Sequence, residues 1–297
     1  MANEDGIVSP AYTILRSKKP HSSLFYEAYF RTDEFINHVL SKSVEGIRDG
    51  RQISYEAFKW LGLPYCDVSE QEKIAQLFET INRRIDKQQQ MVDALKKYKR
   101  GLNIHLLSHF APSQNRKLGE VCSIVGGGTP DTMIKEYWDG TMNWFTPSEV
   151  GKTKYVSSSE RRITAVGVAK SSAKLLPKNT VLLTTRATLG EMSILQTEGT
   201  TNQGFQSLVA METVLPEYIY YLQVLIKPWC EKYASGNTFR EISKTALSQC
   251  AVPIPNIKAQ AKVVDCLSGV DKHISSEESE LQTLLEMKKS FMQQLFI

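Results

Sequence analysis

Two stretches of the chain carry apolar residues at alternating spacings of three and four positions. They lie in residues 68–111 and 257–297, and neither contains a proline. Such spacing is typical of a coiled-coil seam, with an ordinary helical hairpin inside a core as the alternative. The seam positions are Ile74, Phe78, Ile81, Ile85, Gln88, Val92, Leu95, Lys99, Leu102 and Leu106, then Val263, Leu267, Val270, Ile274, Glu277, Leu281, Leu284, Lys288, Phe291 and Leu295.

Each seam has two polar positions, Gln88 and Lys99 in the first and Glu277 and Lys288 in the second. If the helices run antiparallel, one register places Lys99 against Glu277 and Gln88 against Lys288, with apolar residues facing each other elsewhere. A polar group left unpaired in the seam would cost roughly 1–3 kcal/mol. The sequence therefore predicts this antiparallel register.

The chain also repeats itself. Arg51-Gln52-Ile53-Ser54 recurs as Arg240-Glu241-Ile242-Ser243, and the same offset aligns Leu63-Pro64 with Val252-Pro253 and one seam with the other. The helix beginning at Pro216 is expected to have its counterpart in residues 35–40. Two copies of one unit indicate a two-fold recognition device, although the second copy has a segment, roughly 115–200, with no counterpart in the first.

These patterns predict an α+β fold in which globular domains are separated by long helices that form an antiparallel coiled coil. Short apolar runs predict strands in the globular parts, and a helix is expected to start at Thr32 with Phe35, Ile36, Val39 and Leu40 on one face. The predicted strand segments are 11–15, 121–125, 181–185 and 192–195. The predicted domains are a partial globular domain in 1–67, a spacer helix in 68–111, a complete globular domain in 112–256 and a second spacer helix in 257–297.

Composition narrows the classes of function. A chain of 297 residues holds about two domains, and a net charge of +4 permits a nucleic-acid partner without requiring one. The five cysteines form no CxxC pair, which is typical of reduced cytoplasmic thiols, and no leader segment or membrane span is expected. Catalytic motifs are lacking. His105 and His109 lie one helical turn apart without a third ligand nearby, so no metal site is predicted.

The segment Gly126-Gly127-Gly128-Thr129-Pro130 lacks the spacing of a Walker loop or a dinucleotide site. Two interpretations stay open: a tight turn that needs glycine dihedrals, or a backbone that approaches a sugar-phosphate chain. Elsewhere in 112–256, Asn202 and Gln203 are amides of the kind that pair bidentately with adenine, whereas Arg240 lies in a small polar loop suited to phosphate.

Taken in order, six segments resemble the target recognition domain of the specificity subunit of type I restriction-modification enzymes. They are 127–130, 136–140, 143–149, 184–190, 201–205 and 235–243, followed by Val252-Pro253-Ile254-Pro255 running into the last helix. Residues 1–67 keep only the tail of this pattern. The resemblance covers essentially the whole chain.

The resemblance implies two DNA recognition domains held apart by two antiparallel helices, with methyltransferase subunits and a restriction subunit as partners. It also implies that the chain itself is not an enzyme and holds no cofactor, because S-adenosylmethionine, ATP and magnesium would belong to the partners. The residues expected on or near the DNA-facing side are Thr129, Trp144, Thr146, Arg186, Asn202, Gln203, Asn237 and Arg240.

The family pattern would place Met1 inside the first recognition domain. A shortened allele, a second chain that supplies the missing half, and a dimer of two copies are the alternatives, and residues 1–67 are expected to be poorly packed or to expose apolar surface. Two other functions stay open: a docking or decoy subunit that does not read DNA, and the recognition subunit of a fused methyltransferase-nuclease system.

Overall fold

The computed structural model describes residues 6–9, 14, 21–45, 52–53, 55–236 and 240–296. The chain divides into two compact units. The first unit comprises Met1–Leu95 and His273–Ile297, and the second unit is Lys96–Lys272. No helix in the described part of the chain is long and apolar enough to cross a membrane.

Helices account for most of the described first unit and flank the strands of the second. In chain order they are α1 (Ser23–Phe30), α2 (Tyr55–Phe58), α3 (Val68–His109), α4 (Ala165–Ala169), α5 (Pro216–Tyr221), α6 (Gln223–Tyr233), α7 (Lys244–Ser248) and α8 (Ile257–Leu295). A π-helix at Glu34–Val39 and a 3-10 turn at Leu40–Ser43 follow α1. The long helices α3 and α8 lie in the segments expected to be spacers. The proposed division into four domains stays a prediction.

The strands are short and lie mostly in the second unit. In chain order they are β1 (Val44–Glu45), β2 (Gln52–Ile53), β3 (Arg116–Lys117), β4 (Cys122–Gly126), β5 (Trp138–Phe145), β6 (Tyr155–Val156), β7 (Arg161–Ile163), β8 (Val181–Leu183), β9 (Met192–Leu195), β10 (Gly199–Thr201), β11 (Gln206–Ala210) and β12 (Ala251–Val252). The predicted strand at 11–15 lies outside the described residues, apart from Ile14.

Two of the sheets in the second unit have three or more strands, and the pair β12-β3 forms a further, two-stranded sheet. The larger has the strand order β4-β11-β8-β9-β6, and the smaller has the order β10-β5-β7. Within the smaller sheet β10 runs parallel to β5, whereas β7 runs antiparallel to it. The apolar face of α5 packs against the larger sheet and buries Tyr218 and Ile219 completely. Helix–sheet packing of this kind defines an α+β domain and confirms the predicted fold class.

The repeat is visible in the contacts at the start of each long helix. Gln71 accepts a hydrogen bond from the backbone of Ser22 at 2.9 Å and donates to the Cys66 carbonyl at 2.8 Å. Its counterpart Gln260 accepts from Leu215 at 2.9 Å and donates to Pro255 at 2.8 Å. Both glutamines are fully buried, so each satisfies the polar groups where the chain enters the preceding helix.

These contacts correct the expected counterpart of α5, which is α1 and not residues 35–40. Tyr26 of α1 donates to the Pro64 carbonyl at 3.1 Å, and Tyr218 of α5 donates to the Pro253 carbonyl at 2.9 Å. The spacing between the tyrosine and its proline differs between the copies. They are 38 residues apart in the first copy and 35 in the second, so the offset that aligns the later segments does not align these helices.

The first unit has its own core, in which Phe25 and Tyr29 of α1 pack against Phe296 with ring centroids 5.2 and 5.5 Å apart. The Thr32 hydroxyl accepts from Phe35 N at 3.1 Å, as a helix cap does, but the segment that follows is a π-helix. Ile36 is 47% exposed, so it does not share the buried position of Phe35 as the pattern predicted.

The same unit presents large apolar side chains to solvent. In its described part, Trp60 and Tyr65 are 81% and 68% exposed. Aromatic side chains are mostly covered in folded domains, so this surface is unusual for an isolated unit.

The long helices run antiparallel where they pair in the first unit. Residue numbers rise along α3 through Phe78, Arg84 and Gln88, while their partners fall from Phe296, the residue after α8, to Glu280 and Glu277 on α8. The Phe78 and Phe296 rings stack with centroids 5.8 Å apart. The antiparallel coiled coil expected from the heptads is therefore confirmed.

The predicted seam register is wrong. Gln88 donates to the Glu277 carboxylate at 2.6 Å and to its backbone carbonyl at 3.0 Å, so Gln88 pairs with its own counterpart in the repeat and not with Lys288. Lys288 instead lines a cavity of about 300 Å³ together with Arg31 and Asp86. Burial and the nearby Arg31 charge lower the pKa of the Lys288 ammonium, and Asp86 opposes this shift.

In the second unit Lys99 forms an ion pair with Asp271, not with Glu277. Asp271 is not a seam residue, and the Lys99 ammonium also lies 5.7 Å from the centre of the Tyr221 ring. The prediction assumed that polar seam residues must satisfy one another. Lys99 is instead satisfied by the Asp271 carboxylate and the Tyr221 ring, and Glu277 is therefore available to pair with Gln88.

Candidate nucleic-acid interface

The glycine turn after β4 packs directly on the neighbouring chain. Gly128 N donates to the Thr201 carbonyl at 2.9 Å, and Gly127 N donates to the Phe205 carbonyl at 3.4 Å. A Cβ on Gly127 would overlap the Asn202 carbonyl oxygen, and one on Gly128 would overlap the Ser172–Ala173 backbone. None of the three glycines has a positive φ, so close approach, and not special dihedrals, requires Gly127 and Gly128.

The Trp144 side chain packs against this turn and bonds to it. Its indole nitrogen donates to the Gly128 carbonyl at 2.9 Å, and its ring packs edge-on against Trp138 with centroids 5.0 Å apart. The Arg161 guanidinium lies 3.6 Å from the centre of the Trp138 ring. Because Trp144 is only 5% exposed, its ring supports the turn, and its expected place on or near the DNA-facing side stays a prediction.

A second loop, residues 202–204, follows β10 and lies against the glycine turn. Asn202 N donates to the Phe145 carbonyl at 3.0 Å, and the Asn202 side-chain oxygen accepts from Gly204 N at 2.8 Å. Gln203 is exposed at the tip of this loop, where its side-chain oxygen accepts from the Thr129 hydroxyl. Thr129, Asn202 and Gln203 are therefore brought together.

A third loop, residues 184–190, contacts the second loop. Thr185 N donates to the Gly204 carbonyl at 2.8 Å, which ties the loop to residues 202–204. The half-buried Arg186 lies against Gly204, because a Cβ there would be 3.3 Å from the Arg186 Nε. Ala187 adopts a left-handed φ of 61°, and Gly190 one of 79°.

Thr146 begins a fourth loop, residues 146–149, in a local capping role. Its hydroxyl donates to Glu149 Oε2 at 2.6 Å, and Thr146 N donates to the same oxygen at 2.7 Å. Thr188 of the third loop donates to the Pro147 carbonyl at 3.4 Å. The Thr146 hydroxyl is therefore engaged in holding the loop, and the exposed Ser148 hydroxyl lies 3.0 Å from it.

The fifth loop is described at residues 235–236 and 240–242. Ile242 N donates to the Thr185 carbonyl at 3.2 Å, and the Thr185 hydroxyl donates to Glu241 at 3.2 Å. Arg240 is exposed and donates to the Glu231 and Ala234 carbonyls at the end of α6. Asn237 lies outside the described residues.

We call these five loops (126–130, 146–149, 184–190, 202–204, and 235–236 with 240–242) the loop edge. The carboxylates within and beside it have partners inside the domain. Glu149 accepts from Thr146, Glu191 pairs with Lys227 at 2.6 Å, and Glu241 accepts from Thr185. The outward-facing groups are instead hydroxyls, an amide and the guanidinium of Arg240. Such groups form hydrogen bonds to phosphates and base edges.

Sequence reasoning missed a polar cluster elsewhere in the second unit. The Lys154 ammonium contacts the Tyr221 hydroxyl at 2.9 Å and the Ser268 hydroxyl at 3.1 Å, and Tyr221 donates to Asp271 at 2.6 Å. Burial lowers the pKa of Lys154, Asp271 opposes that shift, and the Lys99 charge adds to it. The cluster joins the globular domain to the parts of α3 and α8 in this unit. No local sequence signal marks Lys154.

The His105 and His109 rings lie 6.2 Å apart. Within the described part of the chain, no three His, Cys, Asp or Glu side chains are grouped so that they could hold a metal ion.

Comparison with solved structures supports the fold. An S subunit of the type I restriction-modification system from M. genitalium superposes with a TM-score of 0.57 at 17% identity, covering 92% of this chain and 72% of that one. A chain from a structural study of complex assembly in the type I R-M system gives a TM-score of 0.61 at 18% identity, with coverages of 92% and 70%.

Curated relatives agree. The MjaIX specificity subunit of Methanocaldococcus jannaschii is 33% identical over 186 residues, which is 61% of this chain. The EcoR124I/EcoR124II specificity subunit of Escherichia coli is 27% identical over 296 residues, covering 95% of this chain and 72% of that protein. The chain spans only 43% of the length of the MjaIX subunit.

Residues 112–287, more than half of the chain, match the family model described as the type I restriction modification DNA specificity domain. This match and the relatives confirm the family that the ordered motifs indicated. The chain belongs to the type I restriction-modification DNA specificity family.

Proposed function

We propose that the second unit reads one part of a DNA target through the loop edge, within a complex that contains methyltransferase subunits. The chain itself contributes recognition and no catalysis. S-adenosylmethionine, ATP and magnesium belong to the partner subunits.

The convergence of the five loops is the observation that carries this proposal. Backbone hydrogen bonds of 2.8–3.2 Å join residues 128, 185, 202 and 242 to neighbouring segments, so the loops are held before any ligand arrives. A preorganised surface loses little conformational entropy on binding. Arg186 and Arg240 supply positive charge on the third and fifth loops, where phosphate contacts would fix the position of the domain on the duplex.

The test is DNA binding by the chain in complex with its partner methyltransferase. The Arg186→Gln variant is expected to bind about tenfold more weakly and to lower the salt-dependence slope by about 1, as the loss of one phosphate contact does. Arg116→Gln is the matched control, because Arg116 lies on β3 and its guanidinium faces Glu120 at 3.6 Å. Equal binding by wild type, variant and control would contradict the proposal.

A further inference from the structure

Asn202 and Gln203 are adjacent in the loop edge, and the side-chain oxygen of each accepts a hydrogen bond. Asn202 Oδ1 faces Gly204 N at 2.8 Å, and a backbone N–H can only donate. The Asn202 NH₂ group must therefore point away from the turn. Gln203 Oε1 accepts from the Thr129 hydroxyl, which orients the second amide in the same sense.

The Gln203 NH₂ group is the part of this turn that is left for a ligand. Gln203 is exposed, and its Nε2 has no hydrogen-bond partner among the residues that the structure describes. The turn beneath it is fixed on two sides, by Asn202 N to the Phe145 carbonyl at 3.0 Å and by Gly128 N to the Thr201 carbonyl at 2.9 Å. The Gln203 side chain therefore presents its N–H donors from a backbone that is fixed by hydrogen bonds.

We infer that Gln203 reads a base edge that carries only acceptors in the major groove, guanine N7 and O6 or thymine O4, and that Thr129 is its positioning residue. This inference rests on the proposed function. Bidentate pairing of a glutamine with adenine needs the amide nitrogen and the amide oxygen together. Because that oxygen is turned toward Thr129 and the NH₂ group outward, Gln203 presents donors alone, and an edge that carries only acceptors matches them best.

Gln203→Glu is the sharpest test, since it keeps an oxygen that accepts from Thr129 and replaces the NH₂ donor by an acceptor. The complex with methyltransferase would be used to select DNA from a randomised duplex library, and the enriched motifs compared. At one position the preference is expected to change from guanine or thymine to a base with a donor, chiefly cytosine, by about tenfold or more.

Thr129→Val tests the positioning role separately. Removing the hydroxyl lets the Gln203 oxygen turn outward beside the NH₂ group, so adenine is expected to be accepted at the same position with about a tenfold gain. A merely structural role of Thr129 would lower affinity for all sequences and leave the motif unchanged. Thr129→Val also keeps the inference testable if Gln203→Glu does not fold.

Two controls match these changes in charge and shape. Gln196→Glu adds the same charge at an exposed position outside the loop edge, and Thr132→Val removes an exposed hydroxyl from the segment after the glycine turn. Both are expected to keep the wild-type motif. An unchanged motif in Gln203→Glu, with a clear motif in the wild type, would overturn this inference alone. A wild-type complex that enriches no motif would overturn the proposed function and the inference with it.

Discussion

Replacing Gln88 by leucine removes the hydrogen bonds that join the two long helices at their polar seam position. Gln88 donates to the Glu277 carboxylate at 2.6 Å, and hydrogen bonds to charged groups contribute about 1.5–3 kcal/mol. The Glu277 side chain is 21% exposed and also contacts His273 at 3.1 Å, so it retains other partners. We therefore expect Gln88→Leu to lower the free energy of unfolding by about 1–2 kcal/mol, the lower part of the range.

The melting temperature should fall by about 2–4 °C for each kcal/mol lost. The double variant Gln88→Leu/Glu277→Leu should recover wild-type stability or exceed it, because no carboxylate is then left without its partner in the seam. Gln89→Leu is the matched control. Gln89 is exposed and bonds only Asp93 of its own helix at 3.0 Å, so it should change stability by less than about 0.5 kcal/mol.

Urea denaturation of these four proteins and of the single variant Glu277→Leu measures these differences. Equal losses in Gln88→Leu and Gln89→Leu would refute the pairing, as would a double variant whose loss is the sum of two single losses.

Two further predictions use groups elsewhere in the chain. Gly127→Ala should destabilise the second unit by about 1–3 kcal/mol in urea denaturation, because the new Cβ meets the backbone of Asn202. Gly101→Ala, in open space within α3, should stabilise the chain by about 0.5–1 kcal/mol, and the opposite order would contradict the packing described. With Ellman's reagent at about pH 8, the exposed Cys266 should react first. Burial raises the pKa of the other three thiols tested, Cys122, Cys230 and Cys250, to about 12. These thiols should react only after unfolding. Early reaction of any of them would contradict the buried positions described for this core.

The periodic parts of the chain were the most predictable from sequence. Heptad spacing specifies which face of a helix is apolar, and α3 and α8 pair with each other as expected, in antiparallel orientation. Register depends on how each polar seam residue is satisfied, and Lys99 finds its partner in Asp271, outside the seam. The heptad pattern alone holds no information about such a partner.

The loop edge was predictable in part, because ordered motifs identified the segments that form it. Their mutual contacts could not be read from the sequence, since Thr129 and Gln203 or Thr185 and Glu241 meet only through the sheet pairing. Trp144 shows the limit most clearly. An aromatic residue beside a polar loop can either face solvent or pack under the loop. The hydrogen bond from Trp144 Nε1 to the Gly128 carbonyl shows that Trp144 packs under the loop.

We propose that the loop edge determines which DNA sequence is methylated. The most direct test is to sequence the methylated bases in cells that carry the partner methyltransferase with wild-type chain, with an Arg186→Ala/Gln203→Ala variant, or with the seam variant Gln88→Leu/Glu277→Leu. The account predicts one methylated motif for wild type and the seam variant, and a motif relaxed or lost in the loop-edge variant. The same motif in all three, or no motif with the wild-type chain, would contradict it.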